Sequence, residues 1–236
     1  MERNILAIET ATSICSVAIL VNGEVLASMS SDVKRQHNEK FPSMVSGVLG
    51  ECGLALSDVR TIAVSIGPGS FTGLRVGLGY AKGVALGNGG NIIPIGTLEG
   101  ISSVMMNSHS EKLRESSYII PLTTARRTGS FGQKFKVIHC ADTTELLTDS
   151  EPFYFDFEKW EASIPHNSII GGEGSERFYD FLDEEGRANF RWIENCKADA
   201  VEIGKLAHKL QIIDFKAPDS DSLEPTYLRE FTVAKV

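Results

Sequence analysis

Residues 62–87, IAVSIGPGSFTGLRVGLGYAKGVALG, constrain the fold more than any other stretch of the chain. Residues 62–66 are a short, β-branched apolar run, the pattern of a buried strand. Gly67-Pro68-Gly69 ends it. Ser70 or Thr72 then stands where a hydroxyl accepts a hydrogen bond from an unpaired N–H of a following helix. A glycine turn that opens a helix gathers free N–H groups, so it can hold an anion.

That helix carries Gly73, Gly77, Gly79, Gly83 and Gly87. Each glycine costs a helix interior about 1 kcal/mol relative to alanine. Gly73/Gly77 and Gly79/Gly83/Gly87 recur every four residues and form ridges without side chains, which another backbone can approach closely. Two readings stay open: tight packing on the chain's own sheet, or a docking face for another protein. Arg75 and Lys82 interrupt the apolar run, so the helix does not read as membrane-spanning.

A length of 236 residues allows one large or two small domains. The net charge of −8 argues against extended nucleic-acid contact by this chain alone, because phosphate binding needs a basic face. Arg126-Arg127 is the one obvious seed of a basic patch. Cys15, Cys52, Cys140 and Cys196 are far apart, which argues against a disulfide framework or a zinc site and for a reducing cytosol. The N-terminus shows no export signal, so a cytoplasmic, non-membrane protein is expected.

The chain opens with strands over 4–9, 14–21 and 24–30, joined by the polar turn 10–13 and the hairpin signal Asn22-Gly23. Glu9, Thr10, Thr12 and Ser13 lie beside a strand end. An acid with Thr/Ser hydroxyls there is one way to hold a hydrated Mg²⁺ and a phosphate. The other reading is that Glu9 faces solvent and the hydroxyls satisfy the turn. Residues 35–53 carry Phe41, Met44, Val45, Val48, Leu49 and Cys52 at amphipathic-helix spacing, with Pro42 expected to kink the helix or delay its start. After the glycine helix come a strand at 92–95 and a helix from Thr97. The first half reads β-β-β-α-β-α-β-α.

The second half repeats that order, with strands at 118–124, 130–140 and 143–148, a helix at 157–163, a strand at 167–171, a helix at 175–185, a strand at 190–193 and a helix at 198–212. A duplicated α/β fold follows. Each half is ribonuclease-H-like, a mixed sheet with helices on both faces, and two copies make the actin-like (ASKHA) architecture. The expected lobes are 1–109 and 110–236. In this class phosphates bind between the lobes, on glycine turns such as 67–69 and 172–174. Residues 218–236 read as an extended arm whose Tyr227 and Leu228 need cover.

Three motifs, Ile5-Leu6-Ala7-Ile8-Glu9-Thr10-Ala11-Thr12, the block from Gly67 to Gly77, and Glu224-Pro225-Thr226-Tyr227-Leu228-Arg229, resemble the TsaB (YeaZ) family across nearly the whole chain. The resemblance implies a non-catalytic paralogue of TsaD in bacterial synthesis of threonylcarbamoyladenosine at position 37 of tRNAs reading ANN codons. It implies a heterodimer with TsaD that the ATPase TsaE joins, and contact with tRNA only through the complex. A surface built to dock similar helices could also pair with itself when the partner is absent; the sequence leaves this open. It places the contact on helices 35–53 and 70–87, on Phe41, Val45, Val48, Leu49, Phe71, Gly73, Leu74, Gly77, Tyr80, Gly83 and Gly87. A nucleotide or phosphate site, if present, falls on Glu9, Thr10, Thr12, Gly67, Gly69 and Ser70.

No catalytic residue, metal ligand or cofactor is assigned. The two places of the TsaD histidine pair fall on Thr97 and Ile101. None of His37, His109, His139, His166 and His208 is paired at i, i+4. The family's Asp-Ala-Arg-x-x-Glu-Val-Tyr is here Thr124-Ala125-Arg126-Arg127-Thr128-Gly129-Ser130-Phe131, with both acids gone. The competing reading is an ATPase or phosphotransferase of the sugar-kinase class, which the missing acid near residue 124 disfavours. A metallopeptidase reading has no His-Glu-x-x-His and no serine-triad spacing behind it.

Overall fold

The computed structural model describes residues 4–32, 37–108, 116–125, 128–139, 143–213 and 219–228. His109, Arg126, Arg127, Cys140, Arg229 and the tail beyond 228 lie outside the described residues. Elements β1 (Asn4–Glu9), β2 (Cys15–Val21), β3 (Glu24–Ser31), β4 (Thr61–Ser65) and β5 (Asn91–Ile95) form one sheet in the order β3-β2-β1-β4-β5. The first three strands are antiparallel; β4 and β5 run parallel to β1. The hairpin at Asn22-Gly23 forms because both residues take positive φ, 52° and 88°.

Strand β1 is apolar on both sides, so its sheet is covered on both faces. Leu6 and Ile8 pack with α1 (His37–Glu51) and α2 (Phe71–Asn88). Ile5 and Ala7 face the opposite layer. Helix α1 continues through Pro42 and is two residues shorter at its C-terminus than the amphipathic spacing suggests. Ser70, not Thr72, caps α2: its hydroxyl accepts from the Gly73 N–H at 3.2 Å. Gly89, at φ 65°, ends the helix.

The second sheet departs from the simple repeat. Strand β6 (Tyr118–Thr124) pairs with β7 (Gly129–Gly132) at one end and β8 (Phe135–His139) at the other. The single strand expected at 130–140 is therefore two strands. The break at Gln133-Lys134 is pinned by Ser150, whose carbonyl accepts from Gln133 Nε2 and whose hydroxyl accepts from the Lys134 N–H, both at 3.0 Å. Beyond the break β8 pairs with β9 (Thr144–Thr148), and β7 pairs with β10 (Phe153–Asp156), a strand the sequence reading lacks. Residues 157–162 are 3-10 rather than α-helical. The helix expected at 175–185 is two, α4 (Ser175–Phe181) and α5 (Glu184–Ala188), and α5 runs through Gly186. Strands β11 (Ile169–Gly171) and β12 (Arg191–Ile193) complete the sheet in parallel with β6.

The lobes are not contiguous halves divided at residue 109. Helix α3 (Thr97–Ser108) puts Leu98, Ile101 and Met105 against Ile119 and Ile169 of the second sheet. Helix α6 (Ala200–Ile212) puts Ala200, Ile203 and Ala207 against Ile5, Ala7, Ala18 and Leu20 of the first. Each lobe takes its last helix from the other half, and Glu202 of α6, accepting from Ser103 Oγ at 2.6 Å and Asn107 Nδ2 at 2.8 Å, ties the two helices together.

Candidate functional site

Two places in this fold could carry function: the cleft between the lobes and the outer face of α2. The cleft holds about 880 Å³ and is lined by Thr12, Ser13, Gly69 and Ser70 from the first lobe and by Glu173 and Arg177 from the second. Its floor is the turn after β1. Thr12, Gly69 and Ser70 line this one cleft, with Glu9 and Gly67 buried beneath them.

Glu9 neither faces solvent nor opens toward the cleft. It is fully buried, and Oε1 accepts from the N–H groups of Ala11 at 2.6 Å and Thr12 at 3.1 Å. Burial pushes its carboxyl up to about 7; the Ser65 hydroxyl and those two N–H groups pull the other way, and Glu173 adds to the rise. Oε2 and the Ser65 hydroxyl both lack a hydrogen-bond partner of ordinary geometry. A buried carboxyl that caps its own turn does not present its oxygens to a cleft-bound Mg²⁺. Both readings of Glu9 from sequence are corrected on this point.

The glycine turns are packed rather than open. A β-carbon on Gly69 would overlap the Ala11 carbonyl, which also accepts from the Ser70 N–H at 2.7 Å. β-carbons on Gly172 and Gly174 would overlap the carbonyls of Leu122 and Thr123, and the Gly174 N–H donates to Leu122 O at 3.1 Å. The Gly67 carbonyl accepts from the Thr97 N–H at 2.9 Å. These glycines are required by close backbone approach, and the Ser70 and Gly174 N–H groups of the two turns are spent inside the chain.

The five helix glycines divide between two faces of α2. Gly73 and Gly77 press on Thr10: its carbonyl fills the β-carbon position at Gly73, and its hydroxyl fills that at Gly77. Gly79, Gly83 and Gly87 have no described residue within 4 Å of that position and face outward. A shallow apolar groove of about 410 Å³ runs beside them, lined by Leu56, Tyr80, Gly83, Val84 and Gly87. Leu86 next to it is 87% exposed. Sequence reasoning missed Leu56 and Leu86. Leu86 follows from helical spacing once Gly83 and Gly87 are known to face out; Leu56 lies on a separate 3-10 turn and had no local signal.

The other docking residues sit differently. Phe41, Val45, Val48, Leu49 and Leu74 are buried in the first lobe. Their expected place on an outer contact surface is corrected: the amphipathic stripe is covered by the chain's own sheet. Phe71 is engaged by the tail. The Tyr227 ring lies 5.4 Å from the Phe71 ring, Arg75 stacks over Phe71 at 3.8 Å, and Arg75 Nε donates to Tyr227 Oη at 3.2 Å. The tail is fixed by Thr226 N donating to Ile66 O at 2.7 Å and by Lys82 Nζ donating to Asp221 O at 3.2 Å. So the described part of the tail covers the Phe71–Arg75–Lys82 stripe of α2, and among the described residues nothing covers the Gly79–Gly83–Gly87 stripe. Tyr80 lies under that stripe and packs edge-on against Phe41 at 4.9 Å.

Thr97 and Ile101 are both buried. Among the described residues no group of three or more His, Cys, Asp or Glu side chains could hold a metal ion. Among them, too, no helix is long and apolar enough to cross a membrane.

Comparison with known proteins agrees with this architecture. The family model for tRNA N6-adenosine threonylcarbamoyltransferase (TsaD) matches residues 24–144, just over half of the chain. A protein of Haemophilus influenzae named tRNA threonylcarbamoyladenosine biosynthesis protein TsaB is 38% identical over 105 residues, 44% of each chain. The protein of that name from Escherichia coli is 44% identical over 94 residues, 40% of each chain. The matched stretches thus span less than half of these relatives' own lengths. The solved structure of YeaZ from Pseudomonas aeruginosa has the same fold, with a TM-score of 0.77 at 21% identity over 95% of this chain and 99% of that one. The chain belongs to the tRNA N6-adenosine threonylcarbamoyltransferase (TsaD) family and, within it, to the TsaB (YeaZ) members.

Proposed function

We propose that this chain is a non-catalytic subunit in the synthesis of N6-threonylcarbamoyladenosine in tRNA, and that it docks a catalytic TsaD-type paralogue on the outer face of α2. The observation that carries the reading is the bare Gly79–Gly83–Gly87 stripe beside the groove of Leu56, Tyr80 and Val84, with Leu86 standing exposed at its edge. A helix facing water has no use for three glycines that weaken it. A helix met by another helix at close range does, because small residues let the two backbones approach. Burying Leu86 and the groove then supplies apolar area at about 25 cal/mol per Å². A TsaE-type ATPase joins this pair, tRNA is met through the complex, and a second copy occupies the same stripe when the paralogue is absent.

A catalytic nucleotide-binding role fits less well. The carboxyl at the end of β1 is buried and caps its own turn, and the Ser70 and Gly174 N–H groups of the glycine turns donate to carbonyls of the chain itself.

Reconstitution tests the proposal. Threonylcarbamoylation of an ANN-decoding tRNA by the paralogue, the ATPase and the threonylcarbamoyl-adenylate synthase is measured with and without this chain, then with Gly83→Trp and Gly87→Trp. Dependence on the chain, lost when either tryptophan fills the stripe, is the expected result. Full activity without the chain, or with both blocked variants, rejects the reading.

A further inference from the structure

We propose that the Glu173 carboxylate is a built-in substitute for a ligand anion, and that it closes the inter-lobe cleft without nucleotide. Three consecutive N–H groups on the turn after β1 end on carboxylate oxygens. Those of Ala11 and Thr12 donate to Glu9, and that of Ser13 donates to Glu173 Oε2 at 3.0 Å. Successive N–H groups converging from one turn form a concavity that accepts an anion. Here the anion at Ser13 comes from the other lobe.

Glu173 is held for this position. Its other oxygen, Oε1, accepts from Thr123 Oγ1 at 3.4 Å on β6. Gly172 and Gly174 on either side press directly on the Leu122 and Thr123 carbonyls of that strand. The backbone of residue 173 is therefore fixed against the second sheet, and its side chain is aimed across the cleft. A second tie crosses the same opening, Lys197 Nζ to Asp32 Oδ2 at 3.4 Å. Arg177 and Lys197 line the cleft together with the acids Asp32 and Glu176, so two cations, one of them paired with Asp32, stand beside the place Glu173 occupies. A phosphate group is the ligand class that this donor set and these cations would take if Glu173 withdrew. The inference does not depend on docking at α2, which lies on a different surface.

The test uses the full-length chain and follows hydrogen exchange of the Ser13 amide by NMR in the native protein, Glu173→Ala and Glu173→Gln, each with and without millimolar inorganic phosphate. In Glu173→Ala the Ser13 amide should exchange about tenfold faster or more, as loss of a charge-assisted hydrogen bond implies. Phosphate should restore its protection. Glu173→Gln keeps an acceptor but no charge, and should fall between the two; it carries the test by the same readings if Glu173→Ala does not fold. The native protein should ignore phosphate. Unchanged Ser13 exchange in the variants overturns the proposal. So does faster exchange that phosphate does not reverse, and so does a phosphate response in the native protein equal to that of Glu173→Ala. Binding to the paralogue is a separate assay, so either idea can fail alone.

Discussion

The carbonyl oxygen of Thr10 fills the space that a β-carbon on Gly73 would need, and the Thr10 hydroxyl donates to the Gly73 carbonyl at 2.8 Å. The contact fixes the start of α2 against the end of β1, backbone to backbone. Gly73→Ala must therefore move the helix or the turn and should cost about 1–3 kcal/mol, the range for overpacking a tight interior. Gly83→Ala meets open space and should instead gain about 0.5–1 kcal/mol through helix propensity. Urea denaturation of the two variants reads the difference. Effects of the same sign would mean that the two ridges do not face opposite ways.

Those ridges show what the sequence could and could not say. Four-residue spacing marks a side-chain-free surface, but the partner that makes it inward or outward is Thr10, far away in the chain. Likewise the stripe from Phe41 to Leu49 announces that it is covered and leaves open what covers it. Local chemistry was legible: the Asn22-Gly23 hairpin, the Ser70 cap and the β-branched strands of the first sheet all formed where residue type demands. The branch at Gln133-Lys134 was not legible, because Ser150 makes it. Strand β10 is only four residues, preceded by Pro152, and too short for its period to show. The exchange of α3 and α6 between lobes leaves no trace in element order, since either helix could cover either sheet. Glu173 was read only as the middle of a glycine turn; its pairing with Ser13 needs both lobes in place.

Glu9 makes stability pH-dependent. Its carboxyl sits near 4.5 in an unfolded chain and at about 7 here, so the folded state holds the proton more tightly. Between those values the native state binds more protons than the unfolded one, and stability falls as pH rises. The loss should approach about 3 kcal/mol by pH 8, at 1.36 kcal/mol per unit. Glu9→Gln keeps an oxygen for the Ala11 and Thr12 N–H groups and removes the charge. Its unfolding free energy should stay flat from pH 5 to 8 and exceed the native protein's at pH 8. A native curve that is flat in this window would place the buried proton elsewhere.

Cys15 lies beneath the same turn, fully buried. Burial pushes its thiol up to about 11, and the neighbouring Glu9 adds to the rise. Thiolate is the reactive form, so this sulfur should be inert in the native state at neutral pH. Cys52, only partly buried, should react with a thiol reagent ahead of Cys15 and Cys196 despite its own upward shift from burial and Glu51. Mass mapping of a brief native labelling reaction checks the order; early modification of Cys15 would show that the first sheet opens readily at β2.

The tail should behave as part of the first lobe. Leu223 packs into the core between that sheet and α1–α2, and Thr226 extends the backbone bonding of residue 66 beyond β4. Leu223→Ala removes buried methyl groups from a packed site, for a cost of about 2–4 kcal/mol. Tyr227→Ala removes a half-exposed ring and the contacts of Phe71 and Arg75, and should cost about 1 kcal/mol. Neither change touches the Gly79–Gly83–Gly87 stripe, because the tail crosses α2 on its other exposed side. Both variants should then keep paralogue binding while losing stability. If Tyr227→Ala stays stable but loses the partner, the docking surface extends over the tail, and the Phe71 side of α2 belongs to it as well.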